Sequence, residues 1–403
     1  MSLPNVDIQF VSGLQGPVNA GADNVCGLIT SGVAVSGKLT LGVAFALNTL
    51  DDAAVHGITP AYDSDNGIVV YKQIKEFYEQ APAGTILWVL VTAQSVTLAD
   101  MADVEATYVG TLMQASQGTI TLIGLCWNPP DGYELSTNTY VSGDLTDVWM
   151  DAYSFVALSL AQENAVYLEG FHRYVRFIVE GRSAKDGSAS AFDLTTLGYS
   201  HVGCVNTNSD GGPWAAVGLT LGRAAALPVQ RSIAYRLDGA LNRQTQTWLS
   251  SGSNAFLDPA ELAGWHDKGY IQVIPVQGLV GLYFNDDLMC TDTTSDQNSL
   301  SRGRTIGKAA RLTVSTYNRR VNSEVLVDSA GKIAPEFKAL YENEINNQIR
   351  TQMVGPAALS AGKAYVNPDQ DIIGTNQIEV QLSLQPVGVA KHIVVKIAFV
   401  KTV

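Results

Sequence analysis

Three short apolar runs constrain this chain most: "VCGLIT" (25–30), "TILWVLVT" (85–92) and "GTITLIGLCW" (118–127). Each is apolar at consecutive positions and is the length of a strand, so each reads as a strand buried on both faces. The stretches between them have helical spacing. "GIVVYKQIKEFYEQAPAG" (67–84) places Val70, Ile74, Phe77 and Tyr78 on one face and is stopped by Pro82 and Gly84. "LADMADVEATYVGTLMQAS" (98–116) predicts one further helix, and "TDVWMDAYSFVALSLAQENAVYL" (146–168) contains a long one. "RYVRFIVEGR" and "SHVGCVN" read as strands, and "PWAAVGLTLGRAAAL" as a helix. Two-sided apolar strands alternating with amphipathic helices require a mainly parallel, Rossmann-like sheet covered on both faces, hence an α/β body over residues 25–265.

The character changes after residue 265. "GYIQVIPVQGLVGLYFND" reads as a strand hairpin, and "QNSLSRGRTIGKAARLTVSTYNRRVNSEVL" (297–326) as one long helix. "APEFKALYENEINNQIRTQM" reads as a second helix with Phe337, Leu340, Tyr341, Ile345 and Ile349 as its apolar stripe. Glu336, Glu342 and Glu344 fall mostly off that stripe and read as solvent or partner contacts. Residues 266–403 therefore form an α+β domain.

Both ends are strand-like. Val6, Ile8 and Phe10 alternate within "NVDIQFVSG", an N-terminal arm over residues 1–24. At the other end Ile378, Val380, Leu382 and Leu384 alternate with polar residues, a half-buried strand. After the Pro386-Val387-Gly388 turn, Ile393, Val395, Ile397 and Phe399 form a run that is apolar on both faces. The pattern predicts a closing hairpin that wants neighbours on both sides, either from its own sheet or from another copy of the chain.

The chain has 403 residues and a net charge of −13, unevenly placed. From residue 301 there are 13 Lys and Arg against 8 Asp and Glu, a net of +5; the first 300 residues carry 12 against 30, a net of −18. The basic C-terminal quarter is expected to face an acidic partner surface. Its basic residues are scattered without interleaved aromatics, so nucleic acid is not the expected partner. The start "MSLPNVDIQF" lacks a basic and an apolar signal region, and no apolar run is long enough to cross a bilayer, so no membrane insertion is expected.

The chemistry-bearing motifs are sparse. "GVAVSGK" (32–38) has phosphate-loop spacing, but Leu39 stands where Ser or Thr would hold magnesium. Asp286, Asp287, Asp292 and Asp296 cluster without the glycine and glutamate of a calcium loop. The four cysteines (Cys26, Cys126, Cys204 and Cys290) lie far apart among apolar neighbours and are expected to be buried thiols. The five histidines form no helical pair. No catalytic residue, cofactor or metal site is assigned. An enzyme on the α/β body stays open as an alternative.

The order of parts resembles the sheath proteins of contractile tails, as in contractile bacteriophages, R-type pyocins and related injection systems. The resemblance is carried by "IKEFYEQAPAGTILWVLV" (74–91), "AAVGLTLGRAAALPVQRSIAYRLDGAL" (215–241), the segment from "YFNDDLMC" through "RTIGKAARLTVSTYNRRV" (283–321) and the closing "IEVQLSLQPVGVAKHIVVKIAFV" (378–400). It implies an outer α/β domain and a C-terminal inner domain against the tail tube. It further implies helical self-assembly and contact with baseplate and terminator proteins. The particle would be a virion tail or contractile device, assembled in a bacterial cytoplasm. Under it, Val6, Ile8, Phe10, Ile393, Val395, Ile397 and Phe399 are expected to exchange strands between subunits, and Arg319 and Arg320 to face the tube. A non-contractile virion assembly protein is the competing reading.

Overall fold

A computed structural model of the chain describes residues 23–252, 259–391 and 394–395. These residues divide into two compact units, one up to Glu324 and one from Val325. The first unit begins with strand β1 (Cys26–Gly32), edge strand β2 (Ala44–Leu47) and helices α1 (Leu50–Val55), α2 (Pro60–Asn66) and α3 (Val70–Gln80). It continues with β3 (Leu87–Ala93), α4 (Leu98–Ala102), α5 (Tyr108–Ala115), β4 (Leu122–Leu125) and a hairpin of β5 (Asn138–Val141) and β6 (Asp144–Asp147). Then come α6 (Ala152–Glu169), β7 (Arg176–Glu180), β8 (Val202–Val205), β9 (Thr207–Asn208), α7 (Val217–Ala226) and β10 (Trp248–Leu249). It closes with α8 (Pro259–Asp267), β11 (Tyr270–Ile271), β12 (Val273–Pro275), β13 (Leu282–Phe284) and α9 (Leu300–Tyr317).

The main sheet runs β11-β8-β7-β4-β1-β3-β2, parallel throughout except for the antiparallel edge strand β2. Strand side chains alternate between two cores, as a period of two demands. Leu28, Val89, Val91 and Ile178 join α3 and α7 on one face; Ile29, Leu90, Ile123 and Phe177 join α4, α5 and α6 on the other. The compact unit runs past residue 265, because β11 pairs with β8 and the predicted hairpin forms as β12–β13.

Helices α3 and α7 approach so closely that a Cβ on Gly218 would lie 2.0 Å from the Gln73 carbonyl oxygen, and one on Gly222 2.3 Å from that of Phe77. The Gln73 side chain fills the remaining gap, accepting from Gly218 N (2.6 Å) and donating to Ala215 O (2.7 Å). The four cysteines are buried free thiols, as expected.

Two helix boundaries differ from the sequence pattern. The single helix expected over 98–116 is α4 and α5. After α4, Asp103 is extended and its carboxylate accepts from Glu105 N (2.9 Å), a local bond that competes with helix; Thr107 then takes a φ of 64°. Likewise α9 ends at Tyr317 instead of running to 326, and Asn322 adopts a left-handed φ of 62° in the turns that follow. Arg319 and Arg320 therefore lie in that turn, beyond the helix.

The second unit comprises α10 (Pro335–Ile349), which runs into a π-helical turn over Arg350–Val354, then β14 (Leu359–Val366), α11 (Ile372–Thr375) and β15 (Val380–Pro386). Pro335 occupies the first turn of α10, where its missing N–H costs nothing. Tyr341, Ile345 and Ile349 are buried, while Phe337 and Leu340 are half-buried. β15 pairs antiparallel with β14, a strand the apolar pattern does not reveal; of the run 393–399 expected to close the hairpin, the structure describes 394–395 alone. Val394 and Val395 are exposed and belong to neither strand nor helix; Ile393, Ile397 and Phe399 lie outside the described residues.

Candidate assembly interface

An open parallel sheet offers its ligand crevice beyond the carboxyl ends of the strands, where successive connections diverge. Here that place lies at the end of β1, between β3 and β4. The chain's own polar groups occupy it. Asn128 donates through Nδ2 to Ser31 O (2.7 Å) and through its backbone N–H to Ser31 Oγ (2.8 Å), and its Oδ1 accepts from Val69 N (3.0 Å). Tyr62 spans Val33, donating to its carbonyl and accepting from its N–H. The N-terminus of α3, where a ligand's anion would dock, already holds Asp63, which accepts from Tyr71 N and Lys72 N (both 2.9 Å). Burial pushes the Asp63 carboxyl up to about 6 against those N–H bonds. Deeper in, Glu180 accepts from Trp127 N (2.8 Å) and Ala215 N (2.9 Å), and burial drives it to about 7. These carboxylates join backbone segments. The phosphate-loop spacing at 32–38 leads into a Val35–Leu39 bridge and then β2, with no cradle helix. Asp287 accepts from Ser301 N (2.8 Å) at the start of α9.

The second unit presents a different kind of site. In the β14–β15 ladder, Ala364 faces Leu382 and Val366 faces Val380. Helix α10 takes the outer edge of β14: Ala364 N donates to Asn346 Oδ1 (2.8 Å) and Val366 N to Glu342 Oε1 (2.9 Å). Burial opposes the charge on Glu342, but Lys338 and the Val366 N–H outweigh it and hold the carboxyl below its usual range. Glu342 is thus part of the unit's own frame, not the solvent or partner contact its place on the helix suggested. Since the 364 and 366 amides turn away from β15, the pairs they belong to are non-hydrogen-bonded, and the amides of Val380 and Leu382 turn outward on the far edge of β15. Among the described residues no strand pairs with that edge. Its apolar residues are half-buried in alternation with exposed polar ones, as the sequence predicted. One edge of the hairpin is closed by α10, and the other carries outward amides that no described strand takes up.

Most of the sequence-predicted residues fall outside the described part of the chain. Val6, Ile8 and Phe10 lie outside the described residues, as do Ile393, Ile397 and Phe399. Val395 is exposed, Arg319 is exposed and Arg320 is partly buried. The basic excess also needs correction. From residue 325 on, seven Lys and Arg balance seven Asp and Glu, so the excess sits at 301–320. There Arg304 and Arg311 are buried and Lys308 is paired with Asp23, so half of those six cations serve the interior of the first unit. The sequence pattern singles out Glu342 only as a solvent or partner contact and does not single out Asn346. Their only signal is a spacing of four, which puts both on one side of α10.

The fold is similar to that of contractile-sheath proteins. The helical sheath protein of the anti-feeding prophage in its contracted state superposes with a TM-score of 0.61 at 14% identity, covering 99% of each chain. The sheath complex of PVC, an extracellular contractile injection system, in its contracted state gives 0.58 at 13% identity, covering 99% of this chain and 98% of that one. The sheath tail protein of Desulfitobacterium hafniense gives 0.52 at 10% identity, covering 95% and 100%. No curated protein sequence matches. Family models for the N-terminal and C-terminal domains of DUF2586 match residues 3–288 and 296–403, and the chain belongs to that family.

Proposed function

We propose that this chain is the subunit of a contractile sheath: it polymerises helically around a tail tube, and the lattice shortens to drive the tube through a cell envelope. The observation that carries this reading is the half-closed hairpin, with β14 sealed by Asn346 and Glu342 and the far edge of β15 unpaired among the described residues. Backbone pairing to such an edge gives a stiff link between copies, and open, non-closing contacts generate helices. Residues around Val6–Phe10 and Ile393–Phe399 supply the exchanged strands, so that subunits stay joined while the lattice changes. The likeness to sheath proteins captured in the contracted state supports the contractile role. The C-terminal part lines the inner wall, with Arg319 and Arg320 toward the tube. Baseplate and terminator proteins close the ends of the lattice.

Deleting residues 391–403 tests this. The truncated chain keeps its thermal unfolding transition and forms no helical polymers by electron microscopy. Normal tubes from the truncated chain would refute the strand-exchange role. Reversing Arg319 and Arg320 to Glu weakens co-sedimentation with tube; unchanged co-sedimentation would remove them from the tube-facing surface.

A further inference from the structure

The first two described residues are gripped by one helix. Asp23 Oδ2 accepts from Lys308 Nζ (2.6 Å) and Oδ1 from Arg311 Nη2 (2.5 Å). Arg304 Nη2 donates to Asn24 Oδ1 (2.9 Å) and to the Asp23 carbonyl (3.4 Å), which also accepts from Thr121 Oγ1 (3.0 Å). Arg304 is itself fixed from behind, donating to Ala224 O (2.9 Å) and Leu227 O (3.4 Å). Arg304 and Arg311 are buried, so the Asp23 carboxylate is the counter-charge that lets these cations sit away from water. Burial works against its ionisation, yet Lys308 and Arg311 hold the carboxyl below its usual range. Asp23 lies three residues before Cys26, where the chain enters β1, an interior strand of the sheet. Helix α9 ends at Tyr317, seven residues before the boundary with the second unit.

We infer that Asp23 and Asn24, held by Arg304, Lys308 and Arg311, are the mechanical anchor of the N-terminal segment. The anchor passes load on that segment into α9, the helix whose chain leads to the C-terminal unit, before the load reaches β1. The purpose of this anchor rests on the sheath reading; its chemistry does not. Tension at residue 22 meets three cations and Thr121 first, and the ladder of β1 only after they yield. A charge clamp suits this because its bonds are short and converge on two adjacent residues from one rigid helix.

The test uses the full chain as wild type, Asp23→Asn and Asp238→Asn, the last removing a separate, half-exposed pair with Arg231. Hydrogen exchange reports on the Cys26 amide, bonded to Ile86 O, and the Thr121 amide, bonded to Val25 O. Asp23→Asn speeds exchange at both by about 10-fold and raises the critical concentration for assembly by about 10-fold, while the body stays folded; Asp238→Asn changes neither. Folded Asp23→Asn protein with wild-type exchange overturns the anchor, and so does faster exchange with unchanged assembly. If Asp23→Asn does not fold, Lys308→Met, which keeps the Arg311 pair, decides by the same two outcomes. Wild-type protein that never forms helical polymers refutes the sheath reading, while the exchange rates still judge the clamp.

Discussion

Replacing Gly218 by Ala should reverse the usual sign of a helical Gly-to-Ala change. On a free helix surface the replacement stabilises by about 1 kcal/mol, because alanine loses less backbone freedom on folding. At Gly218 the new Cβ would stand 2.0 Å from the Gln73 carbonyl oxygen and 2.7 Å from its carbon. Both are backbone atoms of α3 and cannot rotate away. Reaching ordinary contact requires the two helices to part by roughly 1 Å, and a gap of that size forfeits a quarter to a half of the dispersion energy along the seam. The Gln73–Gly218 hydrogen bond is lost with it, about 1 kcal/mol. Overpacking of this kind costs about 1–3 kcal/mol. The helix-propensity gain is smaller, so the net effect is a loss of roughly 1–3 kcal/mol. Urea unfolding followed by circular dichroism measures it, with Gly110→Ala as control, since a Cβ there meets nothing within 4 Å. Gly110→Ala should stabilise slightly. A Gly218→Ala protein as stable as wild type, with α7 undisplaced, would refute the close-approach argument.

Glu76 is buried, its Oε1 accepts from Ser209 (2.7 Å), and burial pushes its carboxyl up to about 7 from an ordinary 4.5. Its folded-state value exceeds the unfolded one, so stability falls as pH rises from about 4.5 to about 7. Glu76→Gln should gain roughly 1–3 kcal/mol over wild type at pH 8 and almost nothing at pH 4.5; a pH-independent difference in urea midpoints would contradict this. Asn128→Ala orphans Val69 N and the Ser31 carbonyl in the sheet crevice and should cost about 1–3 kcal/mol, read as a lower thermal midpoint. Leu382→Pro removes an outward amide on the edge of β15 that no described strand pairs, which an edge strand tolerates. It should leave the monomer's circular dichroism unchanged and block polymerisation, and polymers at the wild-type concentration would count against strand addition.

Much of the first unit was legible because its strands are buried on both faces. Leu87–Ala93 and Arg176–Glu180 read as strands without help from their neighbours, and α3 announced itself through Val70, Ile74 and Phe77. Local hydrogen bonding hid the break between α4 and α5, since Asp103 and Thr107 carry no strong stop signal. Strand β14 was illegible for a different reason. Its inward residues after the bulge are Gly362, Ala364 and Val366, and Gly362 must be small because Ile349 lies 2.6 Å from where its Cβ would be. Small residues leave no apolar alternation to read. The charge pattern misled because charge counts carry no burial: Arg304 and Arg311 counted toward a basic surface but lie inside, facing Asp23 some 280 residues away in sequence. The half-open hairpin could not be seen until β14 was placed between α10 and β15.

The central claim is that another copy of the chain completes the edge of β15 that no described strand pairs. An electron cryomicroscopy map of polymers grown from the purified full-length chain tests it most directly. The account predicts an open helical lattice in which a strand from a neighbouring subunit runs along Val380–Pro386, hydrogen-bonded to the outward amides of Val380 and Leu382. A lattice in which that edge faces solvent, or closed rings in place of helices, would contradict it.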